Sequence, residues 1–352
     1  MIDIEQTLWG MNPEGEAIVL YTLRNERGEE VRLTNLGAAV VGLKVQDRAG
    51  KTDEVVLGFS SAEDYLKDTT ALGACVGRTT GFVKLGKATL AGEEITLDRN
   101  HGRHHKDGGT RGFQHKLWES WVENDRLVMA LESEEGDMGY PATLNAQLIF
   151  DFDAEGALEI TYLAKSTAET PVSMAHNIVV NLAGADSGVA LGHLLKINSS
   201  KVQEIDPMEI PSGALIDTAD TALDFSVLKE IKEGIESPFN HIADLGGYTH
   251  TLAMEGWKQN ILGEVAHLED PRSGRTLDIL SSYPAVYFST ENTLKGSCPA
   301  GRHGADYPDY GGILLRPQHF DDAVNHPELP TPIINRGELF CQKTVYRFGT
   351  QE

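Results

Sequence analysis

From Ala142 to Phe150 the apolar residues Ala142, Leu144, Ala146, Leu148 and Phe150 occupy every second position, with Thr143, Asn145 and Gln147 among the residues between them. Side chains alternate across a strand, so this spacing puts all five on one face of an extended segment; a helix, repeating every ~3.6 residues, would scatter them. After the turn signal Asp153-Ala154-Glu155-Gly156 the same beat resumes at Leu158, Ile160 and Tyr162. The pair reads as an antiparallel hairpin with one buried face. Such a face needs a second layer to cover it, which sets the architecture of the chain around it.

The rest of the sequence supplies that layer. Val31, Leu33, Val41, Leu43 and Val45 form two strands around the break at Asn35-Leu36-Gly37, and Glu54 to Gly58 reads as a short strand. Further strands are expected over 127–132, 276–280, 286–290, 313–315 and 343–348. Ser60-Ser61-Ala62-Glu63-Asp64-Tyr65-Leu66 suits a short helix capped by serine. One longer helix is expected from about Ser226 to Ile235, with Val227, Leu228, Ile231 and Ile235 on one side. Short strands punctuated by glycine, without an internal repeat, predict an all-β chain: a large antiparallel β-sandwich with a few short helices. A boundary near Gly184 to Gly188 is conceivable, but strand patterning continues on both sides, so one domain over 1–352 is expected.

Composition excludes several function classes. A hydrophobic content of 40% over 352 residues is enough for a substantial core, whereas a net charge of -23 disfavours nucleic acid and anionic membranes as partners. No apolar run approaches the length of a membrane span, and Met1 to Gly10 has no basic start or apolar core segment, so a cytoplasmic protein is expected. Cys75, Cys298 and Cys341 are too few and too widely spaced for a disulfide framework or a metal knuckle. His101, His104 and His105 are the densest histidine group, but no matched ligand set accompanies them, so neither a metal nor a cofactor is expected. They can contact a substrate or simply form a solvated loop. Trp118, Trp121 and Trp257 are candidates for an aromatic stacking face in a binding site, the first two more in keeping with sheet packing.

Near the C-terminus, Leu314-Leu315 leads into Arg316-Pro317-Gln318-His319-Phe320 and a Pro-bounded polar loop reaching Pro327. A buried strand delivering polar side chains to the mouth of a cleft has this pattern, as does a strand end whose arginine reaches solvent.

Landmarks along the chain resemble the aldose 1-epimerase, or galactose mutarotase, family. They are Leu33-Thr34-Asn35-Leu36-Gly37-Ala38, Val55-Val56-Leu57-Gly58 with Asp64-Tyr65-Leu66, and Gly77-Arg78 followed by Gly86-Lys87. The stretches 100–113, 171–184, 246–250, 270–275 and 318–325 follow in the family's order and approximate spacing. The resemblance covers nearly the whole chain and implies a mutarotase-like β-sandwich holding a free sugar in a cleft. Its partner would be a small-molecule carbohydrate, with the protein a monomer or homodimer.

Interconverting sugar anomers requires taking the proton from the C1 hydroxyl while protonating the ring oxygen, so that the ring opens and recloses on the other face. The resemblance implies a glutamate base, a histidine acid, a second histidine and an aspartate on sugar hydroxyls, and an arginine. Only the arginine is kept, as Arg78. Arg316 stands at the base position, and an arginine cannot accept a proton at physiological pH. Asn177 stands at the acid position with His176 one residue earlier, Asp107 at the second histidine and Thr249 at the aspartate. Gln318 completes the substrate-binding candidates with Arg78, Asn177, Thr249 and Arg316.

Three readings of these replacements stay open. His176 replaces the lost acid if a β-bulge re-aims it; otherwise a one-residue offset turns it to the opposite face. Asp107 or Glu291 supplies a new base beside Arg316, or Asp107 is merely the ion-pair partner of Arg316. Arg78 and Arg316 together clamp an anionic sugar, or Arg78 binds sugar hydroxyls and Arg316 is neutralised by a neighbouring carboxylate. The catalytic candidates are thus Asp107, His176 and Glu291, in a carbohydrate isomerase with a remodelled site. The alternatives are a silent sugar-binding protein and a different isomerase or lyase acting on an anionic sugar.

Overall fold

The computed structural model describes residues 2–302, 304 and 306–351. The hairpin forms as its periodicity requires: Leu144–Phe152 pairs antiparallel with Ala157–Ser166, Leu148 opposite Tyr162 and Phe150 opposite Ile160. This pair lies inside a nine-stranded antiparallel sheet. In spatial order it runs Glu119–Glu123, Arg126–Ser133, the hairpin, Phe340–Thr350, Arg275–Ser281, Gly263–Glu269, Leu194–Ile197 and Lys229–Glu230. Facing layers are a six-stranded sheet (Val179–Val180, Ile313–Gln318, Ala285–Ser289, Thr249–Ala253, Lys201–Ile205, Pro211–Asp217) and a five-stranded sheet from Asp3–Met11 to Thr52–Glu54. Alternate residues of all three meet in one apolar cluster, including Leu148 and Tyr162, Val31 and Leu33, and Phe288 and Leu315. That is the β-sandwich expected from the strand pattern.

Two local expectations are corrected. The helix expected over 226–235 is absent: Lys229–Glu230 pairs with Leu195 and Leu194 as the last strand of the nine-stranded sheet, and only Lys232–Ile235 is helical. Ile231 is fully buried but Val227 is 66% exposed, so the supposed apolar stripe does not face one core. A short apolar run does not by itself tell strand from helix, and here edge pairing decides. The strand expected over 54–58 is shifted: Thr52–Glu54 is paired, and Val56 makes an isolated bridge to Val180. The capped helix does form, as Ala62–Lys67, with Ser61 Oγ accepting the Asp64 N–H. Among the described residues no helix is long and apolar enough to cross a membrane.

Candidate functional site

Ile313–Gln318 is buried at every residue and uses both faces. Ile313 and Leu315 enter the sandwich core, which turns Leu314, Arg316 and Gln318 the other way. Cross-strand register extends that second face. Leu314 sits opposite Ser289 and Val179, Arg316 opposite Tyr287, and in the next strand Thr249 opposes Ser289 and Thr251 opposes Tyr287. Of these, Val179, Thr249, Tyr287, Ser289, Leu314 and Arg316 line a cavity of about 290 Å3, with Gln318 and Thr251 on the same face outside its lining.

Arg316 is at its centre, 3% exposed. Its Nη1 donates to Asn177 Oδ1 (2.6 Å), its Nε to Gln318 Oε1 (2.8 Å), and its Nη2 is 3.2 Å from Asp107 Oδ1, while the guanidinium carbon lies 5.0 Å from the Tyr287 ring centroid. Two of its five N–H groups are thus held in hydrogen bonds, and Nη2 is ion-paired with Asp107. Asp107 has φ 46° and is locked to Gly81 in both directions: its Oδ1 accepts the Gly81 N–H (2.8 Å) and its own N–H donates to the Gly81 carbonyl (3.0 Å). The ion pair between Arg316 and Asp107 therefore forms. Gln318 lies beneath, its Nε2 donating to Asp321 Oδ1 (3.1 Å).

The walls come from loops. Glu291, φ 49°, follows the Ala285–Ser289 strand and lines the cavity. Burial pushes its pKa up, opposed by a hydrogen bond from Ser289 and by the charges of Arg316 and Lys106. Asp321 also lines the cavity, and burial lifts its carboxyl to about 6 against the pull of Arg316. Thr249 shares a hydroxyl hydrogen bond with Tyr287 (2.6 Å), whose pKa burial pushes up to about 12, leaving a neutral phenol. Lys106 stands over Phe82 and 3.4 Å from Glu209; burial opposes its charge, but Tyr287, Glu209 and Asp107 outweigh that and hold its pKa above normal.

Two nominated residues lie elsewhere. Arg78 is 1% exposed and its guanidinium is spent on Pro141 O, Ala142 O, Thr170 Oγ1, Ser133 O and Oγ, and Glu134 O. Through its two Nη groups it staples loops together, and it does not line the cavity, so the structure brings no second arginine to Arg316. His176 is fully buried in the strand Ala175–His176, with Nε2 donating to Ala38 O (3.0 Å) and Nδ1 accepting from Tyr162 Oη (2.9 Å). Burial drops its pKa to about 4, so the imidazole is neutral, and no bulge re-aims it. The one-residue offset acts as a regular strand dictates: Asn177 faces the cavity and His176 the core. His105 is likewise structural, bound to Asp98 O and Tyr140 Oη (both 2.6 Å), and His101 and His104 set their rings edge-on to Phe82. Among the described residues no group of His, Cys, Asp or Glu converges to hold a metal. Trp118, Trp121 and Trp257 do not line the cavity; its aromatic surface is Tyr287 and Phe82.

Tyr287, Ser289, Lys106, Glu209 and Asp321 were not picked out from sequence. For Tyr287 and Ser289 the signal was available: with Val286 and Phe288 assigned to the core, period two sends them to Arg316's face. Asp321 sits in the turn after the strand, where periodicity no longer predicts direction.

The sequence profile of the family described as Aldose 1-epimerase matches residues 19–347. Galactose mutarotase from Bos taurus is 30% identical over 350 residues, covering 99% of both chains, and aldose 1-epimerase from Escherichia coli K12 is 30% identical over 339 residues, covering 96% of both. Among solved structures, galactose 1-epimerase from Lactobacillus acidophilus superimposes with a TM-score of 0.86 over 100% of both chains at 22% identity, which speaks to the fold alone. With a family profile over nearly its whole length and relatives of this identity and coverage, the chain belongs to the aldose 1-epimerase family, whose members are isomerases.

Proposed function

We propose that the cavity around Arg316 binds a neutral aldose and interconverts its anomers. The observation that carries this is the convergence, in a space of about 290 Å3 on the face of the six-stranded sheet, of carboxyl groups from separate loops around one guanidinium. That volume, at the small end for small-molecule sites, suits a monosaccharide. Family membership supports the reaction class, and the site chemistry supports its parts. Glu291, whose buried carboxyl holds its proton more firmly than usual, is suited to donate it to the ring oxygen as the ring opens. Arg316, Asn177 and Thr249 offer donors and acceptors to hydroxyls, Asp107 and Gln318 fix the guanidinium, and Tyr287 offers an aromatic face.

A neutral substrate is favoured over an anionic one by the lining charges. Lys106 and Arg316 face the carboxylates of Asp107, Glu209 and Asp321, with Glu291 serving as a protonated acid, so the two cationic groups are already matched, and Arg78 is not among them. One apolar core with members from Tyr21 to Phe348 supports a single domain, and three free cysteines support a reducing, cytoplasmic setting.

Titration calorimetry with glucose, galactose, glucuronate and glucose 1-phosphate tests the ligand class. Neutral hexoses are expected to bind with Arg316→Ala weakening them about tenfold or more, as expected for loss of a hydrogen bond to a charged group. Tighter binding of the glucuronate or phosphate would reverse the assignment.

A further inference from the structure

We propose that Asp321, in the turn that follows the strand carrying Arg316, is the proton acceptor for the anomeric hydroxyl. The inference rests on the function proposed above and assigns it a catalytic group.

Every contact of Asp321 serves to aim its carboxyl. Its peptide is clamped from both sides by the Gln203 amide, whose Oε1 accepts the Asp321 N–H (3.2 Å) and whose Nε2 donates to the Asp321 carbonyl (2.8 Å). The carboxyl receives Thr251 Oγ1 on Oδ2 (2.9 Å) and Gln318 Nε2 on Oδ1 (3.1 Å). Gln318 cannot turn its amide over, because Arg316 Nε already holds Oε1 at 2.8 Å. Both donors are neutral, so the carboxylate is oriented without being tied up in an ion pair, and an ionised carboxyl with about four acceptor sites keeps lone pairs for the cavity it lines. Gly81 makes the placement possible: a Cβ there would lie 1.4 Å from Asp321 Oδ1. Asp107, by contrast, spends the same Oδ1 on the Gly81 N–H and Arg316.

The step balances. Asp321 takes the proton from O1, the O1 electron pair forms the C1 carbonyl, and the C1–O5 bond breaks with its pair moving to O5, which receives the Glu291 proton. After rotation about C1–C2, O5 re-attacks the opposite face, Glu291 regains its proton and Asp321 returns its own to O1. No oxidant, metal or co-reactant is consumed. A base is most effective with its pKa close to the working pH, and burial sets that of Asp321 at about 6.

The test compares wild type, Asp321→Asn and Asp321→Glu by polarimetric relaxation of freshly dissolved glucose and galactose, with binding by calorimetry and folding by thermal melting. Asparagine fits the same site: its carbonyl can keep the Gln318 donor while its amide faces Thr251, whose hydroxyl can switch from donor to acceptor. Asp321→Asn is expected to lower kcat by about 10²- to 10⁴-fold with hexose affinity within about threefold, as expected for loss of a general base. Asp321→Glu is expected to recover part of the rate, and the acidic limb of the wild-type kcat profile, near pH 6, is expected to vanish in Asp321→Asn. An active wild type with a folded, equally active Asp321→Asn overturns the role of Asp321 alone. A wild type that binds hexoses without accelerating their relaxation overturns the function and this role together.

Discussion

At the residue scale the buried charges divide into those that hold the fold and those held ready. Arg78 belongs to the first kind: burial pulls its pKa down to about 10, which still leaves it cationic at neutral pH, and six acceptor atoms surround it. Arg78→Ala would strand those carbonyls and is expected to cost about 3 kcal/mol or more in chemical denaturation, a loss of stability and not of sugar affinity. Asp321 belongs to the second kind. Its folded pKa, about 6, is raised above the ordinary 3.8, so the folded chain binds this proton more tightly than the unfolded chain. Its favourable contribution is therefore present below about pH 3.8 and lost as the pH rises from there to about 6. Asp321→Asn is then expected to be more stable than wild type at pH 7.5 by about 1 to 3 kcal/mol, the difference fading below about pH 4, as measured by urea unfolding across pH. A site that is more stable without its charge is one kept for function at a cost to the fold.

At the element scale, one strand separates folding from chemistry by alternation. Ile313–Gln318 sends Leu315 into the sandwich core and Leu314 to the cavity. Leu315→Ala is expected to cost about 2 to 5 kcal/mol in unfolding free energy, with hexose affinity unchanged in the folded fraction. Leu314→Ala, widening the cavity, is expected to weaken the hexose instead. Alternation also explains which site assignments the sequence supported. Arg316, Asn177 and Thr249 are in register with the cavity because their neighbours are in register with the core. His176 failed for the same reason, being one residue out of phase with Asn177. Lys229–Glu230 was missed because two residues of edge pairing leave no periodic trace, while Val227, Leu228 and Ile231 imitate a helical stripe.

At the scale of the whole molecule, the sandwich was legible because its long strands each bury one face, and the family because its landmarks occur in order along the chain. The site was legible only in outline. Asp107 and Glu291 adopt left-handed backbone in loops, and Asp321 sits in a turn fixed by Gln203, more than a hundred residues earlier. No local pattern carries such contacts. What the fold supplies is a rigid floor, Arg316 pinned by Asn177, Gln318 and Asp107, with acidic loops around it. On this floor the altered set of residues is expected still to open a sugar ring. Two-dimensional exchange NMR on glucose and galactose at equilibrium, with and without the protein, measures this directly. Cross-peaks between the α and β anomeric protons that grow in proportion to protein concentration are the expected result. Exchange no faster than in buffer alone, for hexoses that calorimetry finds bound, would contradict it.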